Sequence, residues 1–344
     1  MRSIAKSRRF FVESAMALAA LSGLPGAASA QDIKERNIKF PIVNAIDHPQ
    51  GVGAQKFADL VAAKSGGKMK VKVFASGTLG GEQQVASAMQ GGTIEASMMA
   101  PAQLVGMIKE FVVLDFPFSF DSERVADTVL DGPFGKKLLD KLPEKGLVGL
   151  GFMEQGYRSI TNSKRPVVKL EDIQGLKIRT IQNPLYVDML NALGANAVPM
   201  AFTELYTALE QKAVDGQENP YATAEASKFY EVQKYFSATR HIYNPQMMLV
   251  SKKFWDQLSA TEKKVLQDAS NEASVFQRKT AREMSEKSRQ SLIKAGMQIN
   301  DVAPAEIARM REKVKPVVDK YAAQVGEPLL KEFYAELDKA RAQK

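Results

Sequence analysis

Along residues 38–221, hydrophobic positions recur first with the two-residue period of strands and then with the longer period of helices. Strands are predicted at residues 38–44, 70–76, 94–100, 147–154, 176–181 and 196–200. Helices are predicted at residues 48–67, 83–92, 183–194 and 202–214. Strands separated by helices of about ten to fifteen residues are typical of parallel α/β sheets, so the sequence predicts an α/β fold.

Residues 259–296 form the longest helical pattern in the chain. The segment has no proline and no glycine before its last residue, and Ser259 followed by Glu262 is a capping-box start. A helix of about 36 residues is roughly 54 Å long, which exceeds the width of most single domains. Small and polar residues dilute the apolar heptad positions, which argues against a coiled coil. We therefore predict two α/β lobes with this helix running across both.

The first thirty residues have the pattern of an export signal. Basic residues in "MRSIAKSRRF" precede an apolar stretch at 15–24, and "ASA" at 28–30 predicts cleavage before Gln31. The apolar stretch is too short to span a membrane. "SRRFFV" resembles a twin-arginine signal, and the general secretory route also stays open. We predict a periplasmic protein.

Composition and charge exclude several classes of function. The chain has 47 basic and 39 acidic residues, and cleavage before Gln31 would remove four basic residues and one acidic residue, which lowers the net charge from +8 to +5. The remaining charges of both signs are interspersed, so no basic stripe indicates nucleic-acid binding. The absence of cysteine excludes disulfides, thiolate nucleophiles and cysteine-ligated metals.

Sequence motifs for catalysis are not evident. The only two histidines, His48 and His241, have no metal-ligating neighbour at short spacing. No G-x-S-x-G motif occurs, and the glycine-rich "SGTLGGE" at 76–82 lacks both the P-loop ending and the dinucleotide fingerprint. We predict no catalytic residue, no metal site and no cofactor.

Polar side chains are predicted to cluster where strands end. They are Gln155 and Arg158 after the strand at 147–154, Arg179 and Asn183 late in the next, and Glu218, Asn219 and Tyr221 after a short apolar strand. Ligands of open α/β sheets bind beyond the carboxyl ends of strands. Two arginines in one crevice suit a carboxylate, because a guanidinium binds it with two parallel hydrogen bonds.

Both arginines also have partners within the chain. Arg158 could pair with Glu154 or Glu218, and Arg179 with Asp172 or Glu171. The residues alone leave the ligand and the internal partners open as alternatives.

From about residue 150 to 221 the chain resembles the DctP-type solute receptors of tripartite ATP-independent periplasmic (TRAP) transporters. The segments that carry the resemblance are "GLKIR" at 175–179, "GANAVPMAFTELYTALEQ" at 194–211 and "VDGQENP" at 214–220. The earlier "FASGTLGGEQQVASAMQGG" and the long helix also fit, so the resemblance covers essentially the whole chain after the predicted signal.

The resemblance implies a two-lobed fold like that of periplasmic binding proteins, which closes by a hinge around a small organic acid. The first lobe would comprise residues 31–155 and about 245–275, and the second residues 156–244 and about 276–344, with hinges near 155–157 and 242–246. The expected partners are a small and a large integral-membrane subunit that take over the ligand, and the receptor is expected to be a monomer.

The resemblance also assigns site residues. Arg179 would be the carboxylate clamp and Arg158 a second arginine, with Asn219 and Phe202 on the same lobe. Other contacts are expected from Asp47, His48, Glu82, Gln155 and Asn183. These hydrogen-bonding side chains favour a hydroxylated ligand such as a uronate or another sugar acid, and the second arginine keeps C4-dicarboxylates as the next choice.

Two other functions stay open at this point. The chain could be a sensor subunit that docks on a membrane receptor. It could also be a periplasmic acid–base enzyme on the same scaffold, with Glu218 and His48 as its reacting pair.

Overall fold

The computed structural model describes residues 33–343, so the predicted signal peptide lies outside the described residues. The strands are β1 (Arg36–Pro41), β2 (Met69–Phe74), β3 (Ala96–Met99), β4 (Leu147–Asn162), β5 (Lys177–Thr180), β6 (Asn196–Pro199), β7 (Gly216–Asn219), β8 (Tyr235–Ser251) and β9 (Gln298–Asp301). The helices are α1 (Pro49–Lys64), α2 (Glu82–Gly91), α3 (Glu123–Asp131), α4 (Pro133–Leu139), α5 (Pro184–Ala192), α6 (Leu205–Glu210), α7 (Tyr221–Ala226), α8 (Lys252–Trp255), α9 (Ala260–Lys294), α10 (Pro304–Val325) and α11 (Glu327–Ala342).

The predicted α/β class is confirmed, but the sheets are not purely parallel. β1 and β2 pair in parallel, while the larger sheet has the order β3-β8-β4-β7-β5-β6, with β9 beside β8. β8 pairs antiparallel with β3 and β4, and β4 also pairs antiparallel with β7. The expectation of parallel sheets was wrong because the segment of β8 was not recognised as a strand. β8 runs antiparallel to its neighbours β3 and β4.

The two long strands β4 and β8 form the centre of the sheet. β4 continues to Asn162, so Gln155 and Arg158 lie inside this strand. The sequence had predicted that they follow it. Glu218 and Asn219 likewise lie within β7. Glycines interrupt the pattern of hydrophobic residues in β4, so this pattern did not predict the full length of the strand.

One irregularity in the pairing of β4 lies opposite Pro245 of β8. The register of the β4–β8 pair shifts between Glu154 and Gly156, opposite Pro245 and Asn244, and Gly156 has a positive φ of 107°. A bulge of this kind bends a strand and changes which face its side chains occupy. The predicted hinge segments fall at this bulge, where the ladder is already irregular.

The long helix is present as predicted. α9 spans 35 residues and begins with the expected capping box, in which the Ser259 hydroxyl accepts from the Glu262 backbone and the Glu262 carboxylate accepts from Ser259. Its small buried residues Ala269 and Ala273 let it approach its neighbours closely. It packs on α1 and β4 and, further along, on α7. One helix therefore supports elements that flank the central strands on both sides.

Within residues 33–343, four apolar cores lie around the central sheet. One joins β1, β2 and α1 to the first half of α9, and two others surround β5, β6 and the segment around α6 and α7. The largest contains α3 and α4 together with Phe333 and Leu337 of α11. The predicted lobe boundaries stay a prediction. α11, in the range assigned to the second lobe, packs on α3 and α4, which lie in the range assigned to the first.

None of the helices found within residues 33–343 is both long and apolar enough to cross a membrane.

Candidate ligand-binding site

A cavity lies where the long strands, β5 and the loop after β1 converge. Six of the predicted site residues line it, namely Glu82, Gln155, Arg158, Arg179, Phe202 and Asn219, together with Val43, Asn44, Ala100, Ile181 and Asn244. The lining is rich in hydrogen-bonding groups, and its only two basic side chains are the arginines. Only about 20 Å³ of the cavity admits a water-sized sphere, which is room for about one water molecule.

Arg179 contributes a cation that no carboxylate of the described chain contacts directly. Its side chain is 2% exposed, and its Nε and Nη2 atoms donate to the carbonyl oxygen of Met200 at 3.0 and 2.6 Å. The guanidinium also lies 5.8 Å from the centre of the Phe202 ring. Among residues 33–343, no acidic side chain comes within 4.0 Å of it, so neither predicted internal partner, Asp172 or Glu171, is used.

Burial lowers the pKa of Arg179 to about 10. The nearby Arg158 guanidinium acts in the same direction, while the more distant charges of Glu218, Glu82 and Glu204 oppose it. The group still carries its proton at neutral pH. A buried cation without a counter-ion is costly, and an anion that enters the cavity would offset this cost.

Arg158 is equally buried, but it already has a carboxylate partner. Its Nε and Nη2 atoms donate to the two carboxylate oxygens of Glu218 at 2.5 and 2.9 Å, and Nη1 donates to Asn244 Oδ1 at 3.1 Å. Thr180 and His241 also contact the Glu218 carboxylate. Of the two internal partners considered for Arg158, Glu218 is the one used.

The environment keeps the Glu218 carboxylate ionised. Burial alone would raise the pKa of Glu218, but the Arg158 guanidinium and the His241 hydrogen bond lower it to about 2. Arg158 and Glu218 together are therefore a neutral pair at neutral pH. Arg179 is the basic group of the cavity whose charge stays unmatched by direct contact.

Glu82 lines the same cavity as the two arginines. It is the first residue of α2, and its Oε2 accepts a hydrogen bond of 2.6 Å from Gln103 Nε2. Within the described chain it makes no ion pair. Burial raises the pKa of Glu82 to about 7, although Arg179 and Arg158 act in the opposite direction.

Two asparagines leave buried polar atoms without a protein partner. Asn244 Oδ1 accepts from Arg158, which orients its Nδ2 donor toward no acceptor. Gln50 Nε2 donates to the Met98 carbonyl, so Gln50 Oε1 is an acceptor and must receive the Asn44 Nδ2 donor. That leaves Asn44 Oδ1 as an unpaired acceptor. One donor and one acceptor therefore remain available in the cavity wall.

Three predicted site residues do not line this cavity. Asn183 caps α5, accepting from Leu185 and donating to the Ala102 carbonyl at 2.9 Å. His48 caps α1 and contacts Thr223 at 3.0 Å, and burial lowers its pKa to about 3, so it is neutral. Asp47 is exposed. His48 and Glu218 hydrogen-bond to different residues, so the structure does not assemble the acid–base pair that the enzyme alternative requires.

Asn44 and Asn244 line the cavity although they were not predicted to do so. Asn44 follows the apolar segment that includes β1, so the rule that found the arginines at strand ends would have found it too. Asn244 belongs to the predicted hinge segment 242–246, which was considered for motion but not for binding. No group of acidic or histidine side chains within the described range could hold a metal ion.

A cavity rich in hydrogen-bonding groups in an α/β fold, with one buried guanidinium that no carboxylate of residues 33–343 contacts directly, suits the binding of a small anion. Residues 40–324 match the model of the family described as bacterial extracellular solute-binding protein, family 7 (DctP), and the chain belongs to this family. The predicted family and two-lobed fold are thereby confirmed.

The relatives named for a ligand bind organic acids. The sugar acid binding protein DctPAm from Advenella mimigardefordensis, solved in complex with galactonate, is 46% identical, with a TM-score of 0.88 and coverage of 90% of this chain and 100% of that chain. The 2,3-diketo-L-gulonate-binding periplasmic protein YiaO of Escherichia coli is 35% identical over 81% of this chain and 85% of its own. The C4-dicarboxylate-binding periplasmic protein DctP of Rhodobacter capsulatus is 34% identical over 84% and 87%.

Proposed function

We propose that this protein is the periplasmic receptor of a TRAP transporter for a sugar acid, which it binds through the Arg179 guanidinium and delivers to a small and a large membrane subunit. The observation that carries the proposal is the buried Arg179, which has hydrogen bonds to a carbonyl but no carboxylate within ion-pair distance in the described chain. A ligand carboxylate supplies the missing charge.

The wall of the cavity favours a hydroxylated acid over a C4-dicarboxylate. Because Glu218 neutralises Arg158, a second ligand carboxylate would find no unmatched cation. The free donor of Asn244 and the free acceptor of Asn44 suit hydroxyl groups, which both donate and accept hydrogen bonds. The galactonate complex of the Advenella relative fits this preference.

The cavity in its present shape is too small for a sugar acid. A second pocket of about 250 Å³ adjoins it and shares Glu82 and Phe202 as lining residues. We expect ligand entry to require separation of the lobes at the β4–β8 bulge, followed by closure that excludes water and strengthens the ion pair. Export by the predicted signal and function as a monomer without catalysis belong to the same proposal.

A ligand screen with a charge-deficient variant tests the proposal. The protein, stripped of ligand by unfolding and refolding, is heated with galactonate, glucuronate or succinate, and with uncharged galactose. A ligand at 100 times its dissociation constant stabilises by about 2.7 kcal/mol. We expect stabilisation by at least one sugar acid, a weaker effect of succinate and no effect of galactose.

Arg179→Ala should abolish the effect of the sugar acid. Arg165→Ala is the matched control, because Arg165 also donates to backbone carbonyls but lies outside the cavity. Stabilisation by none of the acids, or equal stabilisation of parent and Arg179→Ala, would contradict the proposal. A sensor subunit would bind the same ligand, and co-purification with TRAP membrane subunits in place of a receptor kinase distinguishes the two.

A further inference from the structure

The charges around the cavity do not balance once a carboxylate has entered. Arg158 and Glu218 cancel each other, so the ligand carboxylate and the Glu82 carboxylate would share the single guanidinium of Arg179. Glu82 has only the neutral amide of Gln103 as a direct side-chain partner. Two carboxylates beside one cation in a closed, poorly hydrated site carry an excess negative charge, which is relieved when one of them takes up a proton.

We propose that Glu82 is a specificity-determining residue that becomes protonated when the ligand binds, so that the closed site accepts one negative charge and rejects a second. This inference rests on the proposed function, because it requires a carboxylate at Arg179. The proton belongs on Glu82, since the ligand carboxylate would receive the direct contact with the guanidinium.

The other charged groups near Glu82 do not remove this need for a proton. Arg179 and Arg158 face it from β5 and β4, and Arg158 is held by Glu218 of β7. From the adjoining pocket, Glu204 adds a further negative charge close to Arg179. Gln103 contributes only a neutral donor.

A protonated Glu82 also suits a hydroxylated ligand. The neutral carboxyl still accepts from Gln103, and its O–H becomes a donor for a ligand oxygen. Burial already raises the pKa of Glu82 to about 7 without any ligand, so a nearby carboxylate raises it further.

The sign of the pH dependence follows from this shift. The complex holds more protons than the free receptor at pH values above the pKa of free Glu82, so affinity falls as the pH rises. Between pH 7 and pH 8 the dissociation constant should increase on the order of threefold, and it should change little below pH 6.

Calorimetry of the full chain tests the inference. Galactonate or glucuronate, whichever stabilises the protein more, is titrated at pH 7.5 in buffers of different ionisation enthalpy. We expect uptake of about half a proton per ligand by the parent. Glu82→Gln keeps the shape and removes the titration, so it should bind without proton uptake and with equal affinity at pH 7 and pH 8. Glu283→Gln, which removes an exposed carboxylate of α9 that lines neither pocket, should behave like the parent.

Each result distinguishes this inference from the proposed function. Binding heat without proton uptake in the parent, or the same uptake in Glu82→Gln, overturns the role of Glu82 and leaves the receptor function standing. Absence of both thermal stabilisation and binding heat with either sugar acid overturns the proposed function, and this inference with it. As a control, thermal unfolding of ligand-free Glu82→Gln at the same temperature as the parent would show that the variant is folded.

Discussion

Arg158 and Arg179 line one cavity and are both 2% exposed, yet their surroundings differ in kind. Arg158 meets a carboxylate of its own chain, which is fixed in turn by Thr180 and His241. Within residues 33–343, Arg179 donates hydrogen bonds only to the Met200 carbonyl and lies beside the Phe202 ring. The two arginines are equally buried, but Arg158 acquires its carboxylate partner when the chain folds. Arg179 is expected to acquire one only when a ligand binds.

We therefore expect Arg158 to contribute mainly to folding stability and Arg179 mainly to ligand binding, although both belong to the same sheet. A buried ion pair is strongly destabilised when one partner is removed, because the other charge stays buried alone. A buried cation without a counter-ion costs stability and keeps that free energy available for binding an anion. Replacing each arginine should thus affect a different measurement.

The largest effect is expected for Arg158→Ala in the ligand-free protein. The change leaves the ionised Glu218 carboxylate without its cation, so the free energy of unfolding should fall by about 3–5 kcal/mol. Arg179→Ala should change it by no more than about 1 kcal/mol, because the lost hydrogen bonds to Met200 are offset by removal of a desolvated charge. Urea unfolding of both variants measures the difference.

A double variant keeps this prediction testable if Arg158→Ala does not fold. Replacing both partners together, as Arg158→Met with Glu218→Gln, removes the unmatched charge and should recover part of the lost stability. Equal destabilisation by the two single alanine variants would show that the two arginines do not differ in the way proposed.

The next largest effect is expected for Arg179→Lys on ligand affinity. An ammonium keeps the charge but cannot form the two parallel hydrogen bonds of a guanidinium. Loss of one charge-assisted hydrogen bond costs about 1.5–3 kcal/mol, which corresponds to a dissociation constant raised by about 10- to 200-fold. Calorimetric titration with galactonate or glucuronate measures it, and ligand-free unfolding should stay near the parent value. Unchanged affinity would contradict a bidentate clamp.

The family resemblance predicted Arg179 for the candidate site, and the structure places it in the cavity, but the sequence did not predict how Arg158 is matched. Glu154 and Arg158 are four residues apart and would share one face of a regular strand. The bulge between Glu154 and Gly156 puts them on opposite faces, so Glu154 binds Arg282 of α9 while Arg158 lines the cavity. A bulge leaves no fixed pattern in hydrophobicity, and both internal partners therefore stayed open.

The fold was predictable to a similar extent. The capping box and uninterrupted polarity pattern of α9 depend on local sequence, and its length was predicted nearly to the residue. The antiparallel pairing of β4 with β8 depends on contacts between residues far apart in the chain, for which the pattern of one sequence carries no signal. The same limit explains why the packing of α11 on α3 and α4 could not be foreseen.

The smallest effects are expected at the two asparagines that line the cavity. Asn244→Ala removes the free Nδ2 donor and one acceptor of Arg158, whereas Asn44→Ala removes the free Oδ1 acceptor and the donor to Gln50 Oε1. Each should weaken sugar-acid binding by about 1 kcal/mol, or roughly fivefold. Both changes should also lower the free energy of unfolding, because each takes one hydrogen-bond partner from a buried side chain, Arg158 or Gln50. Titration and urea unfolding of both variants measure this, and unchanged affinity in both variants would show that neither asparagine contacts the ligand.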